Sequence, residues 1–527
     1  MKLGSIEEER IIEMRARVAD TVEAERPLYA APPEPADQEP GGDGRFSHTE
    51  VERALDANED GDAWLFVQIH RERFVFDHAE AGWYEWAGHY WQRDDLNEAL
   101  TGIDEIVKEY EIAALRWAWR ANAAAKKGNE DERKAAEARE EAFRKRIHVL
   151  HGLGRKKRVL ELATAGSRSL GVSGDEWDGA PYLLGCKNGV VELRTGDFRP
   201  GRQEDFIRTV APVEWRGLDE PAPEWEAFLK SVFDGQEEIA LYLRRLLGYG
   251  ITGLVVEHVF PILHGIGRNG KGTLLEILGE VLGHLAAPVQ AEMLLDQGRA
   301  RSSAGPSADV MALRGRRIAW ASETNEGRKL DSSRVKALVG GDTLVGRAPY
   351  GRREISFKPS HLLLLMTNHK PKVDAEDYAL WKRIALIPFP LSFVDNPFKP
   401  NERPKDPDLP EKLRAEGPGI LAWLVSGCLE WQRQGLNPPE VVRLATSDYQ
   451  ADEDLIQHFI NDRCIVRKAC EAKANQIYQA YQAWCSDNGH RPLSGTKFGA
   501  KMKVRFDSYK RGIVHYIGIG LLEPTHG

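Results

Sequence analysis

Gly265-Ile266-Gly267-Arg268-Asn269-Gly270-Lys271-Gly272-Thr273 lies between the apolar run Val259-Phe260-Pro261-Ile262-Leu263 and a helical pattern of Leu274, Leu275, Ile277, Leu278, Val281 and Leu282. Strand, glycine-rich turn and helix in that order build a phosphate-binding loop. Its backbone N–H groups and helix N-terminus attract phosphate oxygens, and the Lys271 ammonium reaches the terminal phosphates of a nucleotide. The residues expected to cradle the nucleotide are Gly265, Gly267, Asn269, Gly270, Lys271, Gly272 and Thr273. One position departs from the pattern. A Ser or Thr after the lysine normally holds Mg2+, and here Gly272 stands there, with Thr273 one place later.

Further along the chain, the apolar strand Ile318-Ala319-Trp320-Ala321 ends at Ser322-Glu323. An acid at the end of the strand beside a phosphate loop holds Mg2+ through water and polarises the attacking water, so Glu323 is the candidate base. Leu362-Leu363-Leu364-Leu365-Met366 reads as a parallel strand buried on both faces, ending in Thr367-Asn368. A side-chain amide at that end can orient water against the terminal phosphate. Trp381-Lys382-Arg383-Ile384-Ala385-Leu386-Ile387 opens another strand at Arg383, a candidate arginine finger for an adjacent subunit's nucleotide, with Arg347, Arg352 and Lys382 as rivals. Two short extended runs flank Pro349-Tyr350-Gly351-Arg352-Arg353. A hairpin tip there carries Tyr350, Arg352 and Arg353 to grip a nucleic-acid strand by stacking and phosphate contacts, or is simply a solvated turn.

The ordered set Gly-x-Gly-x-Asn-Gly-Lys, the Glu323 strand, Gly340-Gly341-Asp342 with Arg347, Thr367-Asn368-His369-x-Pro371 and Trp381-x-Arg383-Ile384 resembles the superfamily 3 helicases of the phage and plasmid primase–helicase type, related to the poxvirus primase–helicase. The resemblance implies an α/β fold: an AAA+ ATPase core, a parallel sheet flanked by helices, with a mixed α/β collar-like domain before it. It also implies ATP and Mg2+ as ligands, the latter on Thr273 and Glu323 partly through water, and catalysis by Lys271, Glu323, Asn368 and Arg383. The implied partners are single-stranded or forked DNA, replication proteins, and further copies of the chain in a ring, usually a hexamer, moving 3′ to 5′. Family members often carry a primase domain before the collar; the segment before Trp83 is too short for one and lacks a paired acidic metal motif.

The expected organisation is a charged helix and Pro/Gly linker over 1–45, a collar-like domain over 46–223, the ATPase motor over 224–445 and a winged helix over 446–527. The last rests on a helix, a turn, a basic helix from Lys497 to Val504 and strand-like Tyr509–Leu522. The net charge of −9 argues against nonspecific nucleic-acid binding by the whole chain. From Arg463 to Arg511, however, basic residues far outnumber Glu471, Asp487 and Asp507. Lys497, Lys501, Lys503 and Arg505 on the second helix, with Lys510 and Arg511 on the wing, are the candidate DNA contacts, although a winged helix can also bind protein. Trp83, Tyr84, Trp86, Tyr90 and Trp91 read as core in preference to a base-stacking surface. The five cysteines fit neither a disulfide framework nor a zinc site, which favours reduced, buried thiols. No run is long enough to cross a bilayer and the acidic N-terminus has no signal core. The expected setting is the cytoplasm of a bacterial host, with the gene carried by a phage or prophage. Two other readings stay open: a regulatory or origin-recognition ring that hydrolyses ATP without unwinding, and a small-molecule kinase using the same loop.

Overall fold

The structure, a computed structural model, describes residues 45–298, 307–323, 325–347, 354–490 and 492–522, without the Glu323 side chain. The charged helix and linker expected over 1–45 lie outside it except for Arg45, as do Tyr350, Arg352 and Arg353 at the expected hairpin tip. The chain divides into two compact units, Met1–Trp83 with Asp94–Gly171, and Tyr84–Arg93 with Val172–Gly527.

The first unit is mostly helical. Ser47 opens helix His48–Asp56 through a capping box with Glu50. The sequence from Leu96 to His148 reads as a helical stretch; it breaks at Lys127-Gly128-Asn129, where Gly128 takes φ 71°, giving helices Ile103–Lys126 and Glu130–Leu150. Glu130–Arg133 and Arg133–Glu137 pairs run along the solvated face of the second helix, each worth only a few tenths of a kcal/mol. Its other face holds the unit together. Fully buried Asp62 accepts hydrogen bonds from Tyr110 Oη at 2.7 Å, Arg146 Nη1 at 2.8 Å and Arg155 Nε at 2.9 Å. Removing the carboxylate leaves Arg155 with Glu59 and Asn58 and Arg146 with backbone carbonyls, so Asp62→Ala is expected to destabilise this unit by about 3 kcal/mol, read as a lower urea midpoint. Trp83 packs on Phe66, Phe74 and Phe76.

In the second unit Tyr84 packs on Trp177 at 4.8 Å between ring centroids and Trp86 on Trp91 at 5.2 Å, with Tyr84 and Trp91 buried. That agrees with the core reading for Tyr84 and Trp91, while Trp83, Trp86 and Tyr90 are half-buried. Strands Leu183–Cys186 and Gly189–Glu192 pair around Lys187-Asn188. Asn188 clamps Trp215, donating from Nδ2 to its carbonyl and accepting its N–H, both at 2.9 Å.

The centre of this unit is a five-stranded parallel sheet. Its strands in chain order are β1 (Phe260–His264), β2 (Ala286–Val289), β3 (Ile318–Glu323), β4 (Leu362–Thr367) and β5 (Ile384–Pro388), arranged β2-β3-β4-β1-β5. Alternate residues serve two cores. Ile318, Trp320, Leu362, Leu364, Ala385 and Ile387 join one cluster, and Ala319, Ala321, Leu363, Leu365, Ile384 and Leu386 the other. A strand clad on both faces must be apolar throughout, which is why β4 reads as an unbroken leucine run. Each such leucine contributes about 1.5–3 kcal/mol through burial. The first face is covered by helices α1 (Glu237–Gly250), α2 (Lys271–Leu282) and α3 (Gly417–Gln434). Helices α1 and α3 touch backbone to backbone: a Cβ on Gly248 would lie 2.2 Å from Cys428 N, and one on Gly427 2.1 Å from Arg244 O.

The sequence over 439–463 reads as one helix; it breaks before Asp454, whose side chain caps the next helix by accepting from Gln457 N. The C-terminal elements are α4 (Leu455–Arg463), β6 (Cys464–Lys473), α5 (Ala474–Asp487), α6 (Gly495–Arg505), β7 (Ser508–Arg511) and β8 (Ile513–Leu521), with an antiparallel sheet ordered β6-β8-β7. All five cysteines are free, and burial pushes the thiols of Cys186, Cys428 and Cys464 up to about 12. Among the described residues no cluster of His, Cys, Asp and Glu could hold a metal, and no helix is long and apolar enough to cross a membrane.

Candidate nucleotide and nucleic-acid sites

Parallel register brings the carboxyl ends of the central strands to one edge. Glu323 pairs with Thr367, Thr367 with His264, and His264 with Pro388. The phosphate loop leaves β1 at this edge and enters α2 at Lys271. Two left-handed residues shape it, Arg268 at φ 63° and Gly270 at φ 86°. A Cβ at Gly270 would lie 2.8 Å from Val232 Cγ2, and one at Gly265 2.3 Å from Phe389 O, so both glycines are required by space. At Gly267 a Cβ meets nothing within 4 Å.

Lys271 is buried, and its Nζ donates to Gly265 O at 2.6 Å and to Asn368 Oδ1 at 3.3 Å. Burial pulls its ammonium down to about 8. Next to it, burial and the charges of Lys370 and Lys271 depress His264 to about 4, which leaves that imidazole neutral at pH 7. Asn269 is buried too, and its Nδ2 has no hydrogen-bond partner. Among the described residues, an orphaned amide donor, a lysine with no carboxylate beside it and a twelve-residue helix starting at the loop together fit a nucleotide's phosphates.

Mg2+ finds fewer partners. Ser322 is exposed at the end of β3, and Thr273 is half-buried. Successive helical side chains point roughly 100° apart, so hydroxyls at 272 and 273 would face different directions. Thr273 instead lines a cavity of about 640 Å3 with Phe228, Arg268, Gly270, Phe393, Asp395 and Lys405. This set suits an ion that keeps most of its waters and arrives on the nucleotide. A Cβ at Gly272 meets nothing within 4 Å, so Gly272→Ser is expected to fold normally and hydrolyse at least as fast as the parent. If Thr273 holds the ion, Thr273→Ala raises the Mg2+ needed for half-maximal turnover by roughly tenfold, and adding Gly272→Ser restores it. A Mg2+ titration of turnover checks both.

Asn368 is half-buried at the end of β4. Its turn is fastened by Thr367, whose Oγ1 donates to His369 O at 2.6 Å, and by Tyr449, whose hydroxyl donates to Pro371 O. Lys370 pairs with Asp452 at 2.8 Å, and Val373 N donates to Glu453 at 3.0 Å. Arg383 lies elsewhere. Its carbonyl accepts from Phe260 N, at the amino end of β1, so the strand length of roughly 15 Å separates it from its own loop. Its Nη1 donates to Ala379 O at 2.6 Å while its buried Nε has no partner. The rival Lys382 sits over the Tyr378 ring at 4.5 Å, and Arg347 N donates to Ser307 Oγ at 2.9 Å. The structure thus gathers Gly265–Thr273, Asn368 and the backbone end of β3, and leaves Arg383 apart.

The legs of the expected hairpin are present, with Leu344 opposite Phe357 and Gly346 opposite Ile355. Of the C-terminal cations, Lys497, Lys503, Lys510 and Arg511 are exposed, whereas Lys501 and Arg505 are half-buried against carboxylates. The cavity beside Thr273 escaped sequence reasoning, because Phe228, Arg268, Phe393 and Lys405 come from four separate segments. Phe393 N donates to Arg268 O at 2.7 Å, a long-range contact with no motif to announce it.

Two family models match the chain, one described as D5 N terminal like over residues 63–234 and one as Poxvirus D5 protein-like over residues 451–515. A protein of Acanthamoeba polyphaga mimivirus named "Putative helicase" is 30% identical over 314 residues, covering 57% of this chain and 32% of that protein. One of Frog virus 3 with the same name is 25% identical over 391 residues, covering 60% of this chain and 40% of that protein. An African swine fever virus protein named "Putative primase" is 24% identical over 341 residues, covering 59% and 34%. The chain therefore spans between 32% and 40% of the length of these relatives. Among solved structures, the apo NrS-1 C terminal region aligns with a TM-score of 0.43 at 11% identity, over 87% of this chain and 99% of that one.

Proposed function

The chain belongs to the primase–helicase family of the poxvirus D5 type, and from that premise we propose that it is an ATP-dependent DNA helicase assembling head to tail into a ring, expected as a hexamer. The observation that carries this reading is the meeting of Lys271 Nζ and Asn368 Oδ1 at the carboxyl edge of a parallel sheet. A phosphate-binding cation and a strand-end amide at that edge suit a nucleotide triphosphate whose terminal phosphate is both held and sensed.

In this account Lys271 leaves the Gly265 carbonyl and Asn368 for the terminal phosphates, which keep its ammonium protonated. Asn368, released, turns its amide to the γ-phosphate, and Glu323 takes the proton of the attacking water. Thr273 and Glu323 would help to hold Mg2+, partly through water, and the ion would supply charge neutralisation on the phosphates. Arg383, out of reach of its own loop, serves the neighbouring subunit. Loss of the γ-phosphate changes what Asn368 holds, and the hairpin Leu344–Phe357 carries that change to the strand in the ring. The C-terminal helices and three-stranded sheet act as a winged helix that holds duplex DNA, and the expected direction of travel is 3′ to 5′. Viral genome replication is the setting that the relatives' names suggest.

The test is DNA stimulation of ATP turnover, with electron micrographs taken with and without nucleotide. Single-stranded DNA is expected to raise turnover several-fold and nucleotide to favour rings. Turnover indifferent to DNA but raised by small phosphate acceptors would support the kinase reading instead.

A further inference from the structure

Helix α6 carries two cations onto an acidic turn of the motor. Lys501 Nζ lies 2.9 Å from Asp374 Oδ1 and 3.0 Å from Glu376 Oε2. Arg505 Nη2 lies 2.9 Å from Asp454 Oδ2 and 3.4 Å from Glu376 Oε1. Three carboxylates thus surround two cations much as successive phosphates of a nucleic-acid backbone would. The fit is incomplete, since Arg505 Nη1 is buried with no partner among the described residues. Nor is the contact sealed: the Lys501 and Arg505 side chains keep 17% and 18% of their exposure, and Asp374 keeps 52%. Partly solvated pairs of this kind are individually weak and exchange readily.

The turn that supplies Asp374 and Glu376 continues directly from Asn368. Between them, Tyr449 holds Pro371 O, Asp452 holds Lys370, and Glu453 holds Val373 N. The residue capping α4, Asp454, also grips Arg505. The nucleotide-sensing strand end and the basic helix are therefore joined through one acidic segment.

We propose that Lys501 and Arg505 form a phosphate-binding surface held closed by the Asp374–Glu376 turn, and that a nucleic-acid backbone opens it by replacing the carboxylates. This rests on the reading of the C-terminal module as a nucleic-acid binder. In the DNA-free chain the turn cancels charge on the module, limiting stray binding; exposed Lys497, Lys503, Lys510 and Arg511 make the first encounter. Displacement then frees the turn and, with it, the segment that positions Asn368. DNA capture and nucleotide sensing become coupled by competition for the same two cations.

Asp374→Asn combined with Glu376→Gln keeps the shape of the turn and removes its charge. In fluorescence-anisotropy titrations of the full chain with single-stranded and duplex oligonucleotides, this double variant is expected to bind between about three- and tenfold tighter than the parent. The gain should vanish in a Lys501→Ala/Arg505→Ala background. Unchanged affinity would overturn the proposal and make the ion pairs a permanent clamp. An equal gain without Lys501 and Arg505 would overturn it as well, since general charge relief would then explain the effect. Lys497→Ala/Lys503→Ala tests the underlying reading separately, because neither side chain enters these pairs. Weaker binding by that variant leaves the module a nucleic-acid binder whatever becomes of the turn, whereas unchanged binding removes both claims.

Discussion

Lys271→Met is expected to lower ATP turnover by at least about 100-fold, the scale of losing one preorganised charge partner of the transition state. The fold should survive. The ammonium is buried and, among the described residues, meets a carbonyl and an amide, and burial already draws it down to about 8. Replacing a desolvated cation by an apolar chain of similar length costs little, so the unfolding midpoint should not fall. The same environment gives a pH signature. In the ligand-free chain the protonated fraction of Lys271 declines as pH rises through about 8, and only the charged form attracts phosphate. Nucleotide affinity should therefore weaken between pH 7 and 9 in the parent, and Lys271→Met should lack that component. Parallel losses of turnover and of stability would show instead that Lys271 is a structural residue.

Arg383→Ala is the second large effect, a loss of about 10³-fold or more in turnover with nucleotide binding kept. The geometry supports action across a subunit boundary: Arg383 stands at the amino end of β5, and the loop follows the carboxyl end of β1 beside it. Mixing decides the matter. Arg383→Ala retains an intact loop, and Lys271→Met retains an intact arginine. In a head-to-tail ring formed from equal amounts, roughly a quarter of the interfaces join the two intact parts, so activity should return although each variant alone is inactive. No recovery from subunits shown to mix would rule Arg383 out as a finger in trans and return the role to Arg347, Arg352 or Lys382.

Local chemistry made much of this legible beforehand. The β1–loop–α2 unit was readable because steric demand at Gly265 and Gly270 leaves glycine in the sequence. Strand β4 was readable because both of its faces are buried, as was the core role of Tyr84 and Trp91. Strand β6 was missed: Cys464-Ile-Val-Arg-Lys-Ala-Cys-Glu-Ala-Lys473 is mostly exposed, carries a register shift between Val466 and Glu471, and shows no two-residue period. The breaks at Gly128 and Asp454 were missed because helix-forming sequence runs on both sides of each. Lys501 and Arg505 looked like free cations since Asp374 and Glu376 stand more than a hundred residues away in sequence. Pairings of that kind depend on tertiary placement and leave no local pattern.

Unwinding is the central claim, and a strand-displacement assay on forks with a 3′ or a 5′ tail addresses it most directly. With ATP and Mg2+, the parent chain is expected to release the labelled strand from the 3′-tailed fork, and Lys271→Met to release none. ATP hydrolysis without displacement on either fork would contradict the account and leave a regulatory ring in its place.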